Sequence, residues 1–175
     1  MKRTDSAADR IRRTLAGPVW HGDAVRVLLS DITPAQAAAR PIKGAHSIWE
    51  LVLHITAWAN IARERLSMRP QLPPTDAQDW PGVATHADEK SWSAAIARLM
   101  SSHEILATTV AKLDDRVLDA TLPAPQCTVL QMLDGVVEHG AYHGGQIALL
   151  KRALADRTRA ARAPSNPAIN TDQRS

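Results

Sequence analysis

Apolar residues recur at three- and four-residue spacing through four long blocks of this chain, a periodicity that restricts it to helices packed against helices. Alternation of β-branched residues, the mark of a half-buried strand, is almost absent. The first block runs from about Ser6 to Leu29 and is interrupted at Gly17-Pro18. A short helical turn is expected at Pro34–Ala39, because Thr33 can cap it and proline suits a first helical position. The second block opens at Ser47, whose spacing to Glu50 is that of a capping box, and continues towards Leu66. The third covers about Asp88 to Leu113 and sets Trp92, Ile96, Leu99, Leu106 and Val110 near one face. The fourth runs from about Thr128 to Leu154. The expected fold class is all-α, a four-helix bundle with a long crossover connection.

That crossover, residues 68–86, carries four prolines, which argue against regular structure over roughly twenty residues. Loops of this length often cover functional sites. One domain is expected over residues 1–154. Residues 155–175 lose apolar periodicity and read as a poorly ordered basic tail. The charge is uneven: +3 on residues 1–13, +4 on 151–175, and −4 on the stretch between. A nucleic-acid binder carries its basic excess on the folded part, so no nucleic-acid partner is expected. No apolar run approaches the roughly 18–20 residues that span a bilayer, and no membrane role is expected. The charged N-terminus lacks the pattern of a signal peptide. Cys127 is the lone cysteine, which excludes a disulfide framework and a thiolate zinc cluster. The cytoplasm is the expected compartment.

The chemistry concentrates in EHGAYHGGQIALL, residues 138–150. His139 and His143 are four apart, so they project from one helical face about a turn from each other. Two imidazoles on an apolar face are costly unless each nitrogen finds a partner, and a metal ion supplies one. His54 lies on the inward stripe of the second helix with Leu51, Ile55 and Trp58, where a facing helix can deliver it as a third ligand. Three neutral imidazoles suit zinc, nickel, cobalt or ferrous iron and leave coordination positions open. Gly140, Gly144 and Gly145 each cost a helix interior about 1 kcal/mol, which implies a close approach by another backbone or a ligand.

HSIWELVLHITAW (46–58), W-x-x-x-I-x-x-L (92–99) and H-x-x-x-H-x-G-Q-I (139–147), in this order and at these separations, resemble the DinB family of the DinB/YfiT-like superfamily. The resemblance covers about Trp20 to Leu150. It implies a four-helix bundle with a long crossover, a homodimer, and a divalent metal on three histidines that map onto His54, His139 and His143. WHG at 20–22 resembles a further family element, with Asp23 where proline is expected. Gly140 stands where a polar residue is common. The superfamily includes low-molecular-weight-thiol transferases and a thiol-dependent isomerase, and many members described only as metal-dependent hydrolases.

The expected cofactor is a divalent metal ion, zinc first, with nickel, iron or cobalt as alternatives. The expected function is thiol transfer to a small-molecule substrate, the metal activating a low-molecular-weight thiol. The alternatives are a hydrolase using metal-bound water and a non-enzymatic metal-binding stress-response protein. Gln146, three residues beyond His143, is a candidate to orient a bound group or a ring nitrogen, against an ordinary interhelical hydrogen bond. Glu50, one turn before His54, is a candidate general base, against a purely capping role. Trp49, Trp58 and Trp92 fall at core spacings, whereas Trp20 and Trp80 suit a pocket rim. His46 lies near the pocket, and His21, His86 and His103 read as surface or capping residues. Tyr142, Glu138 and Cys127 read as packing or surface.

Overall fold

The structure, a computed structural model, describes residues 2–20, 22–83 and 87–162. It is all-α, with no strand among the described residues. In chain order the helices are α1 (Arg3–Ala16), α2 (Val25–Leu29), α3 (Pro34–Ala38), α4 (Ile48–Arg65), α5 (Asp76–Asp79), α6 (Glu89–Ala111) and α7 (Val129–Arg162). A 3-10 helix, Asp115–Asp119, lies between α6 and α7. The four long helices form a closed square: α1 packs on α6 and α7, and α4 packs on the same two from the other side.

Local chemistry sets the helix starts. Ser47 accepts the Glu50 N–H at 3.2 Å and Glu50 Oε2 accepts the Ser47 N–H at 2.7 Å, which is the expected capping box. Thr128 and Gln131 exchange the same pair of bonds at the start of α7. Helix α1 begins at Arg3, earlier than its apolar periodicity suggests, because Asp115 of the 3-10 helix accepts the N–H groups of both Arg3 and Thr4 at 3.0 Å. Those bonds, Thr4 first, hold the Asp115 carboxyl below its ordinary pKa.

The interruption expected at Gly17-Pro18 is present: Gly17, with φ of +77°, ends α1 and parts it from α2. Two expectations change. The crossover contains α5, a single turn capped by Thr75, which accepts the Gln78 N–H at 3.3 Å while Gln78 Oε1 accepts the Thr75 N–H. Helix α7 continues past Leu154 to Arg162, so the expected tail is helical over its first part; residues 163–175 lie outside the described residues.

The core has two apolar clusters. One gathers Trp49, Trp92, Ile55 and Leu99, with the two indoles at 5.1 Å and the Trp92 N–H donated to the Ile32 carbonyl at 2.8 Å. The other joins Ile11 of α1 to Leu106, Leu118 and Leu133. No helix among the described residues is long and apolar enough to cross a membrane.

Candidate metal centre

The packing of α4 on α7 brings His54, His139 and His143 together, with one potential ligand atom of each within 4.8 Å of the others. His139 Nε2 lies 2.9 Å from His54 Nε2 and 3.1 Å from His143 Nε2. His54 and His143 are buried at 5% and 6% exposure, and His139 is partly buried.

The far nitrogens decide which protons are available at the centre. His54 Nδ1 lies 2.7 Å from the Asp79 carbonyl oxygen, which only accepts, so Nδ1 carries the hydrogen and Nε2 presents a lone pair. His143 Nδ1 makes the equivalent bond to Gln146 Oε1 at 2.7 Å. Three converging Nε2 atoms therefore share at most the one hydrogen of His139, and at least one lone pair faces nitrogen unprotonated. A cation at the centre satisfies all three. Ligand nitrogens about 2.0–2.1 Å from one zinc at tetrahedral angles stand about 3.3 Å apart, close to the two separations from His139 Nε2. Burial, then the charges of His143 and His54, push the His139 pKa down to about 3, and burial also lowers that of His143. Both rings stay neutral near pH 7, the state a metal requires. The residues fit a divalent ion.

The crossover closes over this cluster. Trp80 is sandwiched between His46, at 3.6 Å and 8°, and His54, at 3.8 Å and 5°. Asp79 reaches His54 a second time through Oδ1, 3.3 Å from Nδ1, and the same oxygen accepts the Trp58 indole N–H at 2.6 Å. Trp58 stands edge-on to His54, and the Arg65 guanidinium lies 5.6 Å from its ring centre. The polar edge of Trp58 thus ties α4 to the crossover, a role its core spacing does not reveal. Asp79 buttresses a candidate ligand from behind. The T-D-A-Q capping box at 75–78 is the sequence signal that fixes this turn and places Asp79 and Trp80 at its end.

Gln146 sits where its spacing places it, on a ring nitrogen of His143. Glu50 is fully engaged elsewhere: Oε2 holds the Ser47 N–H, and Oε1 pairs with Arg40. Burial alone would raise the Glu50 carboxyl, but Ser47 and Arg40 more than offset it and leave the pKa below its ordinary value, which weakens Glu50 as a base. His46 Nδ1 lies 3.8 Å from Glu50 Oε2.

His103 is a correction: it is buried at 3% exposure, not on the surface, and among the described residues its Nε2 has no hydrogen-bond partner. Its Nδ1 faces the Leu99 carbonyl at 3.2 Å, and burial pushes its pKa down to about 4. His21 and His86 lie outside the described residues. Trp20, 96% exposed, borders a cavity with Arg10 and Arg13 that none of the three histidines lines. Tyr142 is exposed and meets the His143 ring edge-on at 5.0 Å. The glycines answer to packing more than to the cluster. A Cβ on Gly140 would lie 2.5 Å from Thr14 Cγ2 of α1, one on Gly144 would touch Val25 of α2, and one on Gly145 would meet open space.

A four-helix bundle with a largely buried histidine triad shared between two facing helices defines a class of candidate metalloproteins. The family model of the DinB superfamily matches residues 19–147, which include all three histidines, and the chain belongs to that superfamily. Neither the curated proteins nor the solved structures give a match.

Proposed function

We propose that this chain is a metal-dependent enzyme that transfers a low-molecular-weight thiol to a small electrophilic substrate. His54, His139 and His143 hold the divalent ion, zinc in the first instance. The observation that carries this reading is the convergence of three Nε2 atoms whose rings are fixed from behind by Asp79 and Gln146. When bound, the ion supplies Lewis acidity that lowers the pKa of a thiol or of water.

Transfer is favoured over hydrolysis by where the carboxylates lie. A hydrolase needs a general base on the reacting side, and the ligand cluster contains three histidines and no carboxylate among the described residues. Asp79 meets the Nδ1 side of His54, and Glu50 is held by Ser47 and Arg40. Thiol transfer needs only that the thiol lose its proton beside the ion. A structural zinc is closed by four protein ligands, whereas three converge among the described residues, which favours an enzyme over a binding protein. The proposal includes a homodimer in the cytoplasm, with no nucleic-acid or membrane partner.

Elemental mass spectrometry of untagged protein beside His54→Ala and His139→Ala tests the centre. The expected result is about one ion per chain, lost in both variants; full occupancy in either variant overturns the ligand assignment. Thiol transfer is then tested on the loaded protein with a panel of thiols and a chromogenic aryl halide. Metal-dependent product formation supports the reading. Ester or amide hydrolysis without thiol dependence replaces it with the hydrolase.

A further inference from the structure

The outward face of α7 carries a charge pattern that is its own reverse. Around Gly145, the positions that share that face at helical spacing include Glu138, Tyr142, Leu149 and Arg152, all of them exposed. Glu138 and Arg152 stand at equal distances to either side of Gly145, about two turns or roughly 10.5 Å along the axis. Neither forms an ion pair within the chain among the described residues. Tyr142, 65% exposed, and Leu149, 55% exposed, are among the large apolar side chains most open to water.

A two-fold axis through Gly145 uses each part of that pattern. Turned antiparallel, two copies of α7 align every position before Gly145 with one equally far after it. Glu138 then faces Arg152 of the second copy at one end, and the same pair recurs at the other. Tyr142 and Leu149 project to one side of the Gly145 direction, and Ala141 and Ala148 to the other. Tyr142 therefore meets Leu149 of the second copy, while the alanines let the two backbones approach, a spacing that an alanine at 145 also fits. A parallel pairing would instead set Glu138 against Glu138 and Arg152 against Arg152. Asp134 and Asp156, the next charges outward, are already held within the chain by Arg10 at 2.7 Å and Arg159 at 3.4 Å.

The same axis places an exposed indole opposite a groove. Trp20, 96% exposed, shares a cavity with Val137 and Ala141. Level with those two across the axis lies a groove of about 650 Å³, whose lining includes Ala148, Lys151 and Arg152. An indole entering it gains contact with a guanidinium as well as with apolar surface.

We propose that two copies of the chain join through this face of α7, antiparallel about Gly145, with Glu138 on Arg152 at both ends and Trp20 of each copy in the groove of the other. The inference deepens the homodimer of the proposed function by naming its surface, and it rests on no property of the metal centre.

Analytical ultracentrifugation of the untagged full chain at micromolar concentrations tests it, with metal content and helix content measured beside it. The wild type should be a dimer. Gly145→Glu sets two carboxylates at the point of closest approach, from a position whose Cβ meets open space within the chain, and should give a monomer of unchanged helix content. Glu138→Arg alone, or Arg152→Glu alone, opposes like charges at both ends and should weaken the dimer about tenfold or more. The two reversals together exchange the charges and should restore it. Trp20→Ala should also weaken it, and an unchanged dissociation constant would remove Trp20 from the interface. A monomeric wild type, or a dimer that survives Gly145→Glu and ignores both single reversals, overturns the proposal. A monomer that holds metal leaves the three-histidine centre standing, and a dimer that takes up none leaves the interface standing without the centre.

Discussion

Asp79 shows how much of the centre depends on one residue outside the ligand set. Its carbonyl fixes the His54 tautomer, and its carboxylate ties that ring to Trp58. Groups behind metal ligands typically change affinity about 10–100-fold, so Asp79→Ala should weaken zinc binding by that order in a competitive chelator titration. Asp79→Asn, which keeps an acceptor for Trp58, should lose less. Unchanged affinity in both would show that the carbonyl alone positions the ring. Glu50→Gln belongs to a different ledger: it weakens the cap and the Arg40 pair and should cost about 1 kcal/mol of stability with metal content unchanged. A large loss of turnover with metal retained would instead restore Glu50 as a base. His139 and His143 were legible in the sequence because one helix fixes their separation. His54 was legible as a stripe position. Trp80 was legible as a rim residue, but its stack on His54 and the bond from His54 to Asp79 were not, because their place is set by how a proline-rich crossover returns to the bundle.

At the scale of the helix, α7 is built around close contact with α1 and α2. Gly140→Ala gains about 1 kcal/mol of helix propensity, but its Cβ meets Thr14 Cγ2 at 2.5 Å and the overlap costs about 1–3 kcal/mol. The substitution should lower the melting temperature. Thr14→Ser removes that methyl while keeping a hydroxyl for the Arg10 carbonyl, and in that background Gly140→Ala should become neutral or stabilising. Gly145→Ala, with nothing in its way, should stabilise by up to about 1 kcal/mol in either background. The sequence announced an approach at these glycines without saying by what, since the partner lies more than a hundred residues away in the chain. Two helix boundaries escaped for local reasons. Periodicity ends at Leu154, but Ala and Arg continue the helix to Arg162 on propensity alone, and α5 hides a capping box among prolines.

For the molecule as a whole, stability should follow both metal and pH. An ion on His54 and His139 links residues 85 positions apart and binds only the folded chain. Stripping it with a chelator should therefore cost about 3–4 kcal/mol where free metal had stood at a hundred to a thousand times Kd. One pH term, separable from those of the cluster histidines, comes from His103. Its folded pKa of about 4 lies below the ordinary 6.5, so between those values the unfolded chain takes up the extra proton and stability falls as pH falls. The effect is absent above 6.5. At pH 5 it is on the order of 2 kcal/mol, read as the difference in acid slope between the wild type and His103→Leu in urea unfolding, where the shared cluster histidines cancel. Identical slopes would mean that His103 is solvated before the chain unfolds. The architecture was legible from four periodic blocks, whereas the order of helices around the square was not, because periodicity marks a buried face without naming its neighbour.

The stack of Trp80 between two imidazoles has an optical consequence. The chain has five tryptophans, one tyrosine and no phenylalanine, so its own fluorescence is dominated by indole. One of those five indoles lies flat on a candidate ligand at 3.8 Å, within reach of any change in that ring's charge or electron density. Loading the centre should shift or quench the protein's own emission, and Trp80→Leu should remove most of that response, leaving a smaller part from Trp58, which stands edge-on to His54. The protein carries its own gauge of occupancy, readable without a label.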